Sequence, residues 1–299
     1  MTGPAACIRA QAKVNLHLRV FARDESGFHS IETIFHRIDL ADEVTVHATE
    51  GERFLDVEGE DERHVGPAES NLAWRAAAAY TARARWPGGF RIELTKHIPV
   101  GAGLGGGSAD AGAVLRALDS LAPNPMGPHG LIDIAAALGS DVAFLAAPAP
   151  MALAWGRGER MLALPPLPRQ DLILITPEFA VSTVDAYRWL EDDRRASSAI
   201  VSGDSFLLGP RDLTDWAAIA GFAKNDFEDS IVRRLPVLGE LLGVLRGSCP
   251  VFAQMTGSGS TMFGVLDESF DHSRFPLAYP GRLRTSATAV DVAQPVRIK

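Results

Sequence analysis

Cysteine is scarce in this chain: there are 2 in 299 residues, Cys7 and Cys249, far apart and without metal-ligand spacing. This excludes a disulfide framework and a thiolate metal centre, and it predicts a reduced, intracellular and cytoplasmic setting. Long hydrophobic runs are missing too. No 18-residue apolar stretch is available to cross a membrane, and MTGPAACIRAQAKVN has neither the basic opening nor the apolar core of a signal peptide, so no membrane partner is expected. Clustered positive charge is also absent. With 29 Lys and Arg against 37 Asp and Glu, a formal net charge of -8 and scattered arginines, nucleic acid is not the expected partner. The histidines show no metal-ligand spacing.

What is present is a chain 46% hydrophobic and long enough for two domains or one large one. Strand and helix patterns alternate without an internal repeat, which makes the class α/β or α+β. CIRAQAKVNLHLRVF reads as a strand interrupted near Lys13, and ADEVTVHAT as another, with RDESGFHS as a loop between them. Asp39 and Asp42 are expected in a solvated turn. NLAWRAAAAYTARARW reads as an alanine-rich helix starting from a Ser70 or Asn71 cap and closed by Pro87 and Gly88. Composition changes before PPLPRQDLILITP, in which Leu172 to Ile175 reads as a buried strand. This places a soft boundary near residue 160 and predicts domains over 1–160 and 161–299. Residues 188–215 are polar and irregular, the pattern of a mobile surface segment over a cleft.

The densest signal is PVGAGLGGGSADAG, residues 99–112, with five glycines between Gly101 and Gly107. Upstream, Phe90, Ile92 and Leu94 alternate with polar residues as in a half-buried strand that Pro99 stops; downstream, Ala111, Val114, Leu115, Leu118 and Leu121 recur at helical spacing. Strand, glycine loop and helix start together offer free amides and a positive dipole end to an anion. Gly101, Gly103 and Gly106 make a formal G-x-G-x-x-G, but no acidic residue near 126 is placed to hold a ribose. A Walker loop would need Lys after its last glycine, where Gly107 is followed by Ser108. A plain glycine linker is the remaining alternative.

AKVNLHL, PVGAGLGGGSADAG, LGSDVAFL and TGSGSTMFG, in that order, resemble the motifs of the GHMP small-molecule kinase superfamily. RDESGFHSIETIFHRIDLADEV and ESNLAWRAA are similar to stretches of one family within it, the 4-diphosphocytidyl-2-C-methyl-D-erythritol kinases. The likeness spans residues 12–264. It departs where Ser26, Gly27, Phe28 and His29 stand for Asp-Gly-Tyr-His, and where Ser108, Ala109, Asp110, Ala111 and Gly112 stand for Ser-Ser-Asn-Ala-Ala.

The resemblance implies an amino-terminal domain like the second domain of ribosomal protein S5, a ferredoxin-like carboxy-terminal domain, and an active site in the cleft. It implies ATP and Mg²⁺ as cofactors, a small-molecule acceptor linked to cytidine diphosphate, and phosphorylation of the acceptor's 2-hydroxyl in the non-mevalonate isoprenoid route. The triphosphate falls to Pro99, Val100, Gly101, Ala102, Gly103, Leu104, Gly105, Gly106, Gly107, Ser108 and Ala109, with Asn71 and Lys96 near the adenosine. Ser108 fits either a phosphate or Mg²⁺ contact or a helix N-cap. TGSGSTMFG, residues 256–264, takes a supporting role toward the phosphates. Asp141 takes the place of the catalytic base, against the plain reading as a helix cap, and Lys13 that of its partner, against the plain reading as a strand-end lysine reaching water. Asn15, two residues on and on the same strand face, is placed to orient the acceptor hydroxyl. Phe28, His29 and Tyr187 fall at the family's cytosine site, and Thr183 at its substrate-facing threonine. The alternatives are another GHMP kinase, for mevalonate or homoserine, and a nucleotide sensor without catalysis.

Overall fold

In β1 (Ala5–Arg23), Ala6, Ile8, Ala10, Ala12, Val14 and Leu16 form a period-two row buried in one core, and Leu18 and Val20 continue it into a second. One strand thus runs along two hydrophobic cores formed among the described residues. The computed structural model describes residues 3–25, 27–59, 67–86, 88–197, 209–249, 251–267 and 281–298. The irregularity anticipated at Lys13 is a register shift in the ladder to β2 (His29–Thr49), between Gln11 and Lys13.

β2 is long enough to take two partners along one edge. Residues 31–36 pair with β5 (Met151–Gly156) and residues 43–49 with β4 (Gly89–Lys96), leaving a gap at 37–42. β3 (Arg53–Gly59) runs parallel to β4, and β6 (Arg160–Leu164) closes a hairpin with β5. The start of β2 has no alternating pattern because Thr33 to Ile38 are buried without interruption, so sequence periodicity missed it. Helices α1 (Leu72–Ala84), α2 (Gly106–Leu121), α3 (Gly127–Leu138) and α4 (Ser140–Ala146) share a core with this sheet. The Asn71 side chain caps α1 by accepting from the Ala73 amide at 2.8 Å. The helix stops at Arg85, which is left-handed with φ 49°; Pro87 lies outside the described residues.

The second sheet has the order β10-β7-β9-β8, all antiparallel, with β7 at Asp171–Thr176, β8 at Phe252–Met255, β9 at Met262–Val265 and β10 at Arg282–Ala287. Leu172, Leu174, Phe263 and Val265 face the first core. Ile173, Ile175 and Met262 face the second, built with α5 (Thr183–Ser197), α7 (Glu228–Arg234) and α8 (Pro236–Ser248). Between α5 and α7 lies α6 (Trp216–Phe222). The expected irregular segment is corrected over 188–197, which is helical in α5, since Ala186 and Leu190 bury one face of the helix. Its middle, 198–208, lies outside the described residues. The chain ends in β11 (Val296–Ile298), which returns to pair with β1. No helix among the described residues is long and apolar enough to cross a membrane.

Candidate active site

Lys13 sits on β1 with its side chain 3% exposed. An ammonium so buried needs several acceptors, and it has them. Nζ donates to Asn15 Oδ1 at 2.8 Å and to the Gly103 carbonyl at 2.9 Å, and Asp141 Oδ2 lies 3.4 Å away. Asp141 is in the first turn of α4, which starts from Gly139 with no side-chain cap, so the reading of Asp141 as a cap does not hold. Its carboxylate is about one-third exposed, facing a cleft of about 920 Å³.

Asn15 is braced from every side. Its Oδ1 also accepts from the Gly257 amide at 2.9 Å and the Thr256 hydroxyl at 3.2 Å, and its Nδ2 donates to Thr33 at 2.8 Å. It therefore ties Lys13 to the second glycine turn, a contact between β1 and the loop joining β8 to β9.

The glycine loop lies between β4 and α2. Gly105 is the N-cap of α2 with φ +72°, so the alternative reading of Ser108 as the cap is corrected: Ser108 lies inside the first turn. A left-handed φ favours glycine here, and a Cβ would stand 3.1 Å from Cε of Lys13. At Gly103, φ +80°, a Cβ would collide with the Thr256 carbonyl. Close approach is thus required by Lys13 and the second glycine turn as well as by any ligand. The amides of Gly106, Gly107 and Ser108 open α2 without intrahelical partners, at the cleft wall.

Behind the loop lies a buried cluster that sequence reasoning missed. Asp42, expected in a solvated turn, is fully buried; it accepts from Lys96 Nζ through Oδ2 and from the amides of His97 and Ile98 through Oδ1, at 2.5 and 2.7 Å. The gap between the two partners of β2 gives this carboxylate its place. Lys96 also donates to Asp110 Oδ2 at 2.6 Å, while Asp110 Oδ1 is buried without a partner among the described residues. Burial pushes the Asp110 carboxyl up to about 8, against the pull of Lys96 and with a further push from Asp42. Burial works against charged Lys96, but Asp110 and Asp42 outweigh it and its pKa is raised. The cluster fastens both ends of the glycine loop to β2.

Arg37 is a second residue without a sequence signal. It is the cross-strand partner of Lys13, and its guanidinium donates to the carbonyls of Ala149, Phe144, Leu145 and Ala147 at 3.0 to 3.1 Å, closing the C-terminal end of α4. Burial, then the charge of Arg116, lowers its pKa to about 9.

The cleft gathers Lys13, Asn15, Asn71, Lys96, Asp141, Thr183 and Tyr187 with Pro99 to Gly103 and Gly105 to Ser108. Leu104 and Ala109 are buried in the core beneath it. Thr183 shares a hydrogen bond with Ser258 at 2.9 Å. Burial, and then the negative charge of Asp141, raises the Tyr187 pKa. Tyr187 stacks on His29 at 4.9 Å, whereas His29 and Phe28 do not themselves line the cleft. Both ring nitrogens of His29 are engaged, Nδ1 with the Phe21 carbonyl at 2.7 Å and Nε2 with Glu191 at 2.9 Å. Phe28 is 53% exposed under the guanidinium of Arg157.

Residues 71–148 match the model of the GHMP kinases N terminal domain. A 4-diphosphocytidyl-2-C-methyl-D-erythritol kinase of Desulfotalea psychrophila is 36% identical over 88% of this chain and 86% of its own length. One from Anaeromyxobacter dehalogenans is 39% identical over 95% of this chain and 88% of its own. The chain belongs to the 4-diphosphocytidyl-2-C-methyl-D-erythritol kinase family. A crystal structure of a 4-(cytidine 5'-diphospho)-2C-methyl-D-erythritol kinase superimposes with TM-score 0.71 at 35% identity, covering 95% of this chain and 99% of that one. Homoserine kinase from Cytophaga hutchinsonii reaches TM-score 0.72 at 19% identity, over 98% and 97% of the chains, and shares the fold. Family members are thus built on the same GHMP kinase fold as kinases named for other acceptors.

Proposed function

We propose that this protein transfers the γ-phosphate of ATP to the 2-hydroxyl of 4-diphosphocytidyl-2-C-methyl-D-erythritol, in the non-mevalonate isoprenoid route. The observation that carries the reading is the buried Lys13 ammonium beside the part-exposed Asp141 carboxylate, 3.4 Å apart in a cleft that also holds the glycine loop and Tyr187. Asp141 accepts the proton of the acceptor hydroxyl, and Lys13 offsets charge on the transferring group. The amides opening α2 donate to phosphate oxygens, and Asn71 and Lys96 flank the adenosine. Asn15 acts by holding Lys13 and the Gly257 amide in place.

Among the described residues, no group of three or more His, Cys, Asp or Glu could hold a metal ion, so Mg²⁺ would enter with the triphosphate, where the Ser108 hydroxyl offers it an oxygen. Bound there, the ion would neutralise phosphate charge. The base end of the acceptor belongs with Phe28, His29 and Tyr187, and Thr183 faces the same substrate. Residues 1–160 form the ATP-binding domain in this reading, and 161–299 the second domain. The acceptor is a small molecule, with no role for nucleic acid or membrane, and the setting is cytoplasmic.

Turnover of purified protein with ATP, followed by phosphorus NMR of the product, tests the assignment. The cytidine diphosphate acceptor is expected to exceed its uridine counterpart in kcat/KM by more than about tenfold, because a reversed donor and acceptor leaves buried polar groups unpaired. Asp141→Asn is expected to lower kcat by about 10² or more. Comparable use of both acceptors, or efficient phosphorylation of mevalonate or homoserine, overturns the reading.

A further inference from the structure

The turn from Thr256 to Thr261 joins β8 to β9 beside the cleft, and two of its residues, Gly257 and Gly259, have left-handed φ of +58° and +82°. Such glycines give a turn freedom, so one that must stay in place needs anchors outside itself. Asn15, which accepts from the Gly257 amide, is one anchor. Asn225 is the other. Its Nδ2 donates to the carbonyls of Met255 at 2.7 Å and Gly257 at 2.9 Å, and its Oδ1 accepts from the Phe227 amide at 3.0 Å. Gly257 is thus held by its N–H through one asparagine and by its C=O through a second.

Asn225 is itself fixed to β1. Leu18 donates to the Lys224 carbonyl at 2.7 Å and accepts from the Asp226 amide at 3.0 Å, and the Asp226 carboxylate accepts from the Val20 amide at 2.9 Å. Asn225 therefore lies along β1 in a parallel bridge with Leu18. The strand that carries Lys13 reaches the turn twice, directly through Asn15 and again through the partner of Leu18. Asn225 is buried and is not part of the cleft wall, whereas Gly257 and Ser258 line it. The Gly257–Ser258 peptide is trans, so its C=O and N–H point opposite ways, and a carbonyl turned to Asn225 sends the Ser258 amide away from it. That amide has no hydrogen-bond partner among the described residues. A Cβ on Gly257 would stand 3.4 Å from Lys13 Nζ, which places the turn at the transfer end of the cleft.

We propose that Asn225 is a positioning residue for phosphoryl transfer: by holding the Gly257 carbonyl it aims the Ser258 amide at an oxygen of the phosphoryl group in transit. The inference rests on the kinase reading above. A donor fixed before the reaction stabilises charge developing in the transition state without reorganising, which requires that it cannot swing away. Both hydrogens of the Asn225 amide are used on carbonyls of the turn or its approach, and its oxygen on a neighbouring amide, so a single orientation of the side chain satisfies all three.

Steady-state kinetics of the full-length protein with ATP and the acceptor test this, together with calorimetric titration of a non-hydrolysable ATP analogue and a thermal melt of each variant. Asn225→Asp keeps the oxygen that receives the Phe227 amide and removes both donors. Asn225→Ala removes the donors without setting a carboxylate against the carbonyls, and serves where the aspartate variant does not fold. In the folded variant kcat is expected to fall by at least about tenfold, with KM for ATP and affinity for the analogue within about threefold of wild type. Combined with Asn15→Ala, which loosens the same turn, the loss in kcat is expected to stay well short of the product of the single losses. An unchanged kcat in a folded variant, a parallel loss of analogue affinity, or losses that multiply with Asn15→Ala overturns the role of Asn225 while the kinase reading stands. Wild type that transfers no phosphate from ATP to the acceptor overturns both.

Discussion

Asp110 illustrates how far one carboxyl can be moved by its surroundings. Burial in the first turns of α2 takes it from an ordinary 3.8 to about 8, so the folded protein holds this proton over a range in which the unfolded chain has released it. The sign follows from linkage. Where the native state binds more protons, stability falls as pH rises. The contribution is whole below about pH 3.8 and is lost progressively as pH climbs through 8. Asp110→Asn, which cannot ionise, is expected to show a flatter profile: between pH 5 and 8 its urea midpoint declines less than that of wild type. A wild-type profile no steeper than the variant's contradicts a native-state proton on Asp110.

At the scale of elements, α4 is only seven residues long, yet it carries the carboxylate assigned to the chemistry. So short a helix has little stability of its own and depends on what grips its ends. Its N-terminal end follows Gly139, and its C-terminal carbonyls rest on Arg37, opposite Lys13 in the sheet. The two members of the Lys13–Asp141 pair are thus referred to one point of the β1–β2 ladder. Arg37→Met keeps the stem and removes the donors. It is expected to lower kcat about tenfold, the cost of a sub-ångström misplacement of the reacting groups, with KM for ATP within about threefold. Arg37→Lys should restore part of the loss. Steady-state kinetics well below the melting temperature of each variant decide this; an unchanged kcat in folded Arg37→Met shows that packing alone holds the helix.

Across the whole molecule, the two sheets are not independent. Leu172, Leu174, Phe263 and Val265 of the second sheet share a core with Val14, Leu16 and Ile34 of the first, and Gln254 donates to the carbonyls of Asn15 and Leu16 at 2.7 and 3.1 Å. Sheets that share so apolar a core are expected to unfold together. Far-ultraviolet circular dichroism and tryptophan fluorescence are therefore expected to report one coincident urea transition, shifted upward by an ATP analogue as a unit. Two separated transitions would show that residues 1–160 and 161–299 are stable apart.

The local features of this protein were legible in its sequence because they depend on neighbours along the chain. The strand, glycine loop and helix around residues 89–121 follow from period-two and period-3.6 patterns and from Pro99 and the glycines; the Asn71 cap follows from a side chain reaching two residues ahead. Lys13 and Asp141 stood out as charges in apolar surroundings, and only a resemblance paired them. The rest required three dimensions. Asp42 looked like a turn residue because nothing near it in sequence shows the gap in β2 where Lys96 and the amides of His97 and Ile98 meet it. Thr256 and Gly257 meet Asn15 across 241 and 242 positions of chain. Arg37 meets the end of α4, more than a hundred positions further along the chain. Burial, pairing and the shift of a pKa are set by what packs around a group from every direction, and that is decided only when the chain folds.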